Sequence, residues 1–372
     1  MSFGDGFWWG VGASDVAERG AAPAGDRRTA RPVPAEPAPD PVDPVALLGV
    51  GHRRVTVEWA RLEPEPGRLD DAEVEDLRRR LADQRAAGTR TWACLHDGSL
   101  PGWFSIDERG FADDRSWRYF WARHVEQVGE LLGDLVDGWV PTFEPTRWAR
   151  RGWLTGEAPP GRRGDAEGFT GALVGILDAT VDAATRLRGG GRPVATAIDL
   201  APVTARRPDP ATPPGPDAEA QAAALERVVW GSWARLLADG VLDVAGRAAL
   251  ERPAAREAFD VIGFTYRSGL AVDAEGAIWP YPDPPADRPR TGWAEGFGLV
   301  LHRLAEVAGD RPLLAAGIGL DTTDEEARAR YLRDVLAIAA EAVADGIDLR
   351  GLWWTTPVDP RGATGRPGLI SA

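Results

Sequence analysis

The amino-acid sequence predicts a single (β/α)8 barrel domain over residues 1–372. Eight short apolar runs that favour strands alternate with longer segments whose apolar residues recur at helical spacing, which is the pattern of a parallel sheet covered by helices. Of the 372 residues, 44% are hydrophobic and 16 are Trp. A chain of this length and composition can bury the large core that one barrel requires.

The predicted elements follow one another at regular intervals. Strands are predicted at residues 8–12, 54–58, 91–95, 137–143, 194–198, 261–265, 313–316 and 349–354. Helices are predicted at residues 70–87, 116–132, 165–188, 218–238, 296–307 and 324–345. A Pro/Ala-rich stretch at residues 21–44 is predicted to be an irregular surface segment, and Pro-rich stretches at residues 208–216 and 280–289 are predicted to be loops. Loops that follow the strands of a barrel lie at its C-terminal mouth, where chemistry takes place.

The composition excludes several classes of function. Forty-three basic residues against 57 acidic residues give a formal net charge of −14, which disfavours nucleic acid as a partner. The chain contains no Lys, so Schiff-base chemistry and a P-loop lysine are excluded. No apolar run approaches the roughly 20 residues of a membrane span, and no secretory leader pattern is present. We therefore expect a cytoplasmic protein that acts on a small molecule.

Metal and thiol chemistry are not expected either. Cys94 is the single cysteine, and the four histidines do not fall at ligand spacing. We expect neither a metal nor a cofactor, and the sequence does not predict the oligomeric state.

Six motifs occur in a fixed order along the chain. They are FWWGVGAS at residues 7–14, RVTVEWARLEP at 54–64, LHDGSLPGWF at 95–104, TFEP at 142–145, DVIGFTY at 260–266 and TGW at 291–293. Together they resemble glycoside hydrolase family 1, the retaining β-glycosidases, in which the fourth motif is T-x-N-E-P. The resemblance implies a (β/α)8 barrel and places Glu144 at the acid/base position.

The residues around Glu144 point to an active site independently of the resemblance. Glu144 follows an apolar strand, precedes Pro145, and is flanked by Trp139 and Trp148. Such surroundings are expected to raise the pKa of a carboxyl group. The alternative is an ordinary glutamate that is either solvated or salt-bridged, with Arg147 or Arg150 as the partner.

Several positions depart from the family pattern. The family carries its nucleophile in I-T-E-N-G on the seventh strand, whereas this chain has PLLAAGIG at residues 312–319, and we align the missing glutamate with Ala315. Ala315 is therefore expected at the mouth of the barrel. Phe143 replaces the Asn beside the acid/base, and Asp97 stands where a sugar-binding His is usual, with His96 one position earlier. Arg54 is retained, and the resemblance implies that it pairs with another carboxylate or with Glu144; a purely structural role is the alternative.

Three hypotheses of function follow. In the first, Glu144 donates a proton to a glycoside-like or acetal-like bond of a hydrophobic molecule, such as a secondary metabolite, while Asp97 or Asp199 acts on water or a substrate hydroxyl. The reaction is then hydrolysis, cyclisation or dehydration. The predicted substrate-binding residues are Arg54, His96, Phe143, Trp148, Tyr266 and Trp354.

The second hypothesis is a catalytically inactive pseudo-glycosidase that binds a ligand or a partner protein. The third is a conventional retaining β-glycosidase in which Asp321 supplies a relocated nucleophile. The retaining mechanism needs two carboxylates about 5–5.5 Å apart, and the inverting mechanism needs roughly 6.5–9.5 Å.

Overall fold

A computed structural model of the protein describes residues 3–27, 44–209, 211–284 and 291–355. Most of the predicted irregular segment at 21–44, and parts of the stretches at 208–216 and 280–289, lie outside the described residues. The strands are β1 (Trp8–Gly12), β2 (His52–Thr56), β3 (Arg90–Cys94), β4 (Gly138–Val140), β5 (Ile198–Asp199), β6 (Val203–Ala205), β7 (Val241–Leu242), β8 (Leu250–Glu251), β9 (Ile262–Tyr266), β10 (Gly269–Val272), β11 (Ile278–Tyr281), β12 (Leu313–Ile318) and β13 (Leu349–Thr355).

The α-helices are α1 (Asp15–Arg19), α2 (Pro44–Leu48), α3 (Trp59–Leu62), α4 (Asp71–Ala86), α5 (Asp114–Ser116), α6 (Ala122–Leu132), α7 (Pro145–Trp153), α8 (Ala166–Arg188), α9 (Pro216–Glu226), α10 (Ser232–Asp239), α11 (Ala294–Ala308) and α12 (Glu325–Ala344). Turns of π-helix lie at Trp103–Asp107, Trp117–Trp121 and Arg227–Gly231, and 3-10 turns lie at Gly110–Ala112 and Pro253–Arg256. None of the helices in these described ranges is long and apolar enough to cross a membrane.

Eight parallel strands form the barrel in the order β4-β3-β2-β1-β13-β12-β9-β5. The two edges of this sheet meet just before β5, where Val194 pairs in parallel with Trp139 of β4 and Ala195 pairs in parallel with Val261. Each of the eight predicted strands overlaps one of these observed strands. The predicted (β/α)8 barrel is therefore confirmed.

Large rings fill the interior of the barrel because glycines face them. Trp92 and Trp353 are buried inside the sheet together with small residues such as Ala195. A Cβ on Gly138 would lie 2.4 Å from the Trp92 ring, and a Cβ on Gly10 would lie 2.3 Å from the Trp353 ring. Interiors are close-packed, so a side chain at either glycine would displace an indole.

The helices cover the outside of the sheet through one apolar face each. In α12 the buried positions Tyr331, Val335, Ala339 and Ala342 recur every three or four residues, as expected for a helix that packs on one side. Each fully buried aliphatic side chain of this kind contributes roughly 1.5–3 kcal/mol. This layer holds the strand ends at fixed positions around the mouth.

A second, small sheet was not predicted from the sequence. It has the order β11-β10-β6, with β10 antiparallel to β11 and parallel to β6. Because β6 follows β5 and β10 follows β9, this sheet lies beside the mouth. It forms one wall of the pocket described below.

Candidate functional site

The mouth of the barrel holds a pocket with two adjacent lobes. The first lobe, of about 130 Å³, is lined by residues that include Arg27, Arg54, Asp97, Phe143 and Trp148. The second lobe, of about 230 Å³, is lined by residues that include Arg150, Asp199, Leu270, Ile278 and Trp279. Both lobes share Glu144, Arg147, Arg151 and Arg267.

The backbone places Glu144 at the centre of this pocket. Glu144 follows β4 and caps α7, and its φ of 52° and ψ of 51° lie in the left-handed region. A non-glycine residue in that region is uncommon and stores strain. The backbone N–H of Glu144 donates to the carbonyl of Ala197 at 2.9 Å. This bond to the chain entering β5 fixes the carboxylate over the mouth.

Two arginines hold the Glu144 carboxylate. Arg147 Nη1 donates to Oε2 at 2.6 Å, and Arg267 Nε donates to Oε1 at 2.7 Å. Thr265 Oγ1 adds a third hydrogen bond to Oε1 at 3.0 Å. Only 5% of the Glu144 surface is exposed, so solvent screens these contacts little.

The pKa of Glu144 is lowered, contrary to the prediction from its apolar neighbours. Burial opposes ionisation, but the guanidinium groups of Arg267 and Arg147 outweigh burial and hold the pKa well below its usual range. Glu144 is consequently a carboxylate at neutral pH. A group in this state carries no proton to donate, and its low pKa makes it a weak base.

Asp97 forms a further ion pair in the pocket. Arg54 Nη1 donates to Asp97 Oδ2 at 2.6 Å, and Thr56 Oγ1 donates to the same oxygen at 3.3 Å. The Arg54 guanidinium also lies 3.8 Å from the centroid of the Phe143 ring. Arg54 is therefore paired with a carboxylate, as expected, and that carboxylate is Asp97.

Asp199 ends β5 and lines the second lobe. Burial raises its pKa to about 7; Arg150 opposes this shift and the charge of Glu144 adds to it. The Asp199 Oδ1 atom is buried without a hydrogen-bond partner. With a pKa of about 7, Asp199 is therefore partly protonated at neutral pH, whereas Glu144 is ionised.

Three of the predicted substrate-binding residues lie away from the pocket. His96 is 1% exposed, and its ring packs against Phe111 and Trp148. Tyr266 is fully buried, and its hydroxyl donates to the carbonyl of Trp293 at 2.8 Å. Trp354 is buried in the apolar layer between the sheet and the helices. Strand alternation explains the last two, because neighbouring residues of a strand face opposite sides.

The structure corrects the expected position of Ala315, and a register shift in β12 between Ala315 and Gly317 explains why these two residues face opposite sides. Ala315 is fully buried in the layer outside the barrel. Gly317 faces the mouth instead, since a Cβ there would lie 2.7 Å from Thr355 Oγ1 and 3.1 Å from Phe143 Cζ. The seventh barrel strand thus presents a glycine to the site. Asp321 does not line either lobe.

The sequence interpretation named Arg147 or Arg150 only as partners of an ordinary glutamate and did not assign them to the site. Arg147, Arg150 and Arg151 follow Glu144 on α7 at spacings of three and four residues, which places them on neighbouring positions of one helix surface. That spacing was a usable signal. The contribution of Arg267 was not visible, because 123 residues separate it from Glu144. Within the described ranges, no group of His, Cys, Asp and Glu is arranged to hold a metal ion.

The fold and the position of the pocket define a (β/α)8-barrel protein with its candidate site at the carboxyl ends of the strands. Solved structures of β-glycosidases have the same fold. A β-glycosidase from Pyrococcus horikoshii superposes with a TM-score of 0.79 at 20% identity, over 100% of this chain and 90% of that chain. A family 1 β-glucosidase from Thermotoga maritima superposes with a TM-score of 0.78 at 18% identity, over 100% and 93%.

Similarity in sequence agrees with the structural comparison. The chain is 25% identical to thermostable beta-glucosidase B of Thermobispora bispora over 351 residues, which cover 85% of this chain and 71% of the relative. It is 29% identical to human Klotho over 202 residues, which cover 44% of this chain and 20% of Klotho. No protein-family model matches the chain. The chain has the fold of the family 1 β-glycosidases, and the predicted resemblance to them is confirmed.

Proposed function

We propose that this pocket binds a small molecule and does not cleave β-glycosides by the two-carboxylate mechanism of the enzymes it resembles. The observation that carries this proposal is the double ion pair of Glu144 with Arg147 and Arg267. Retaining cleavage requires a protonated carboxyl group and a nearby carboxylate nucleophile. Here the candidate acid, Glu144, is ionised. On the seventh barrel strand, the residue that faces the mouth is Gly317, which cannot act as a nucleophile.

The charge of the pocket adds a second argument. Glycoside cleavage passes through a transition state in which positive charge develops on the sugar ring. The two lobes carry Arg147, Arg151 and Arg267 in common, with Arg27 and Arg54 in the first lobe and Arg150 in the second. Fixed charges around a reacting group are usually the largest single catalytic contribution. Arginines so placed oppose a developing cation.

A second candidate function is acid–base catalysis on a small molecule, with Asp199 as the proton donor. It is favoured by the raised pKa of Asp199, about 7, because burial disfavours its charged form. A neighbouring ionised Glu144 and a protonated Asp199 are the kind of separated pair that marks acid and base roles. General acid help of this kind contributes roughly 10²–10⁴-fold. Hydrolysis, cyclisation and dehydration all use it.

Hydrolysis of a panel of aryl β-glycosides tests both candidates. The wild type is assayed from pH 5 to pH 8 beside Glu144→Gln, Asp199→Asn and the control Glu126→Gln, which alters a surface ion pair on α6. We expect no turnover above the buffer rate for any of the four proteins. Circular dichroism confirms that each variant is folded.

Two results would change the conclusion. Turnover by the wild type and Glu126→Gln that disappears in Glu144→Gln would contradict the binding proposal and restore Glu144 as a catalytic residue. Turnover that falls as the pH rises through about 7, and is lost in Asp199→Asn, would establish the second candidate instead.

A further inference from the structure

The pocket concentrates positive charge in an acidic protein. Among the residues that the structure describes, the two lobes contain six arginines, Arg27, Arg54, Arg147, Arg150, Arg151 and Arg267, against the four acids Asp97, Glu144, Glu157 and Asp199. The whole chain has the opposite balance, with a formal charge of −14. Low-dielectric walls focus the field of such a cluster and attract ligands of the opposite charge.

Helix α7 holds three of these arginines close together. Arg147, Arg150 and Arg151 lie within one turn and a half of the helix, and all three line the second lobe. Like charges at this spacing repel one another. Burial lowers the pKa of Arg151, and the charges of Arg147 and Arg27 lower it further. A bound anion would relieve this repulsion.

Arg150 lies in the second lobe with its guanidinium group near Asp199 but not bonded to it. Its side chain makes no hydrogen bond and no ion pair with any other residue that the structure describes, although it is half-buried. Burial lowers its pKa, with Asp199 acting in the opposite direction. A guanidinium group carries five N–H donors in a planar fork that matches carboxylate and phosphate oxygens. The N–H donors of the Arg150 guanidinium group are therefore available to a ligand in the second lobe.

Glu144 orients the guanidinium groups of Arg147 and Arg267. Arg147 contacts it through Nη1 and Arg267 through Nε, which leaves the other N–H groups of both side chains for a ligand. Fixing the two guanidinium groups in advance reduces the entropy that binding costs. In this arrangement Glu144 is a positioning residue.

The second lobe also has an apolar wall. Leu270 and Ile278 line it from the small sheet, and Trp279 lies beside them with 43% of its surface exposed. Pockets that combine an apolar wall with a few convergent polar groups are typical of small organic ligands.

We propose that the second lobe binds a small organic anion. Arg150, with Arg147 and Arg267, holds its phosphate or carboxylate group, and Trp279 with Ile278 contacts its ring or aliphatic body. This inference rests on the proposed function, because it names the class of molecule that the pocket binds.

Calorimetric titration of the full-length protein with four probes tests the inference. Phenyl phosphate and benzoate share an apolar ring with neutral phenyl β-glucoside, and inorganic phosphate lacks it. We expect phenyl phosphate or benzoate to bind, with the stronger of the two identifying the anionic group. Inorganic phosphate is expected to bind more weakly than phenyl phosphate, and phenyl β-glucoside is expected not to bind. Affinity is expected to fall as salt is added.

Variants of α7 locate the binding. Arg150→Gln is expected to weaken binding at least tenfold, whereas Arg330→Gln, a change at a 62% exposed arginine of α12, is expected to leave it unchanged. Because the Arg150 side chain makes no ion pair with any described residue, the melting temperature of the unliganded variant is expected to stay at or above that of the wild type.

Failure of both organic anions to bind the wild type would overturn the inference, as would equal binding by Arg150→Gln. These outcomes are separate from the glycoside assay. Turnover that depends on Glu144 would sink the proposed function, while the titration would still report whether anions bind at Arg150.

Discussion

The two sides of the barrel mouth differ in the chemistry they carry. The side built from β4, α7 and β5 contributes Glu144, Asp199 and three arginines to the pocket. On the opposite side, among the residues that the structure describes, β12 faces the mouth with Gly317 and β13 contributes Thr355. Catalysis by two carboxylates needs acids that face each other across the substrate. A barrel can therefore keep the fold of a glycosidase while β12 and β13 present Gly317 and Thr355, and not a carboxylate, to the mouth.

The largest expected effect on stability comes from removing the Glu144 carboxylate. Glu144→Gln would leave Arg147 and Arg267 half-buried without their carboxylate. We expect the free energy of unfolding to fall by about 2–4 kcal/mol, because removing one partner of a buried ion pair leaves its charge uncompensated. Urea denaturation measures the change. The surface control Glu126→Gln should stay within about 0.5 kcal/mol of the wild type; equal stability of Glu144→Gln would contradict the importance of the ion pairs.

The mouth beside β12 has no room for a methyl group at Gly317. In Gly317→Ala the new Cβ would lie 2.7 Å from Thr355 Oγ1 and 2.9 Å from Thr265 Cγ2. Overpacking of this kind costs about 1–3 kcal/mol, which thermal or urea denaturation resolves. Gly51→Ala is the matched control, because no atom lies within 4 Å of its added Cβ. If both variants were equally stable, the mouth beside β12 would be more open than the structure shows.

A smaller effect is expected from Tyr266, which should contribute to stability but not to ligand binding. Tyr266→Phe removes the hydroxyl that donates to the carbonyl of Trp293. We expect a loss of about 1 kcal/mol in the free energy of unfolding, the usual net value of one hydrogen bond. Phenyl phosphate binding is expected to be unchanged. A loss of binding without a loss of stability would place Tyr266 in the pocket after all.

Asp199 is also expected to affect how stability depends on pH. Asp199 has a folded pKa of about 7, above its ordinary value of about 3.9, so the folded state binds more protons between these values and stability rises as the pH falls from 7 towards 4. Glu144 has the opposite effect on how stability depends on pH. Its lowered pKa gives stability that is complete above pH of about 4.3 and is lost at lower pH.

Asp199→Asn should therefore flatten the rise in melting temperature between pH 7 and pH 5. The flattening is expected to be partial, because burial also raises the pKa of Glu58 to about 7. Melting curves at the two pH values provide the test. An unchanged difference in melting temperature would show that Asp199 is already ionised at neutral pH.

The frame of the molecule was predictable because it depends on local patterns. Alternating apolar runs and ordered motifs gave the barrel, and the strand that precedes Glu144 placed this residue at the mouth. The register of β12 was not predictable, since the run from Leu313 to Gly319 contains only small and aliphatic residues that do not mark which of them face inward. Ala315 was therefore chosen where Gly317 faces the site.

The electrostatics of the site were harder to predict than its position. The flanking tryptophans correctly indicated that Glu144 is buried, but burial alone gives the wrong direction for its pKa. The direction depends on Arg267, which the fold brings from β9 to within 2.7 Å of the carboxylate. Contacts between residues so distant in the chain are set by the closed barrel.

Two titrations of the wild-type protein decide whether the pocket binds anions or hydrolyses glycosides. One sample is titrated with phenyl phosphate to measure binding. A second is titrated with phenyl β-glucoside while the release of phenol is measured. Saturable binding of phenyl phosphate, with no phenol released from the glucoside, is the result predicted by the arginines around Glu144. Release of phenol, without any binding of phenyl phosphate, would contradict it.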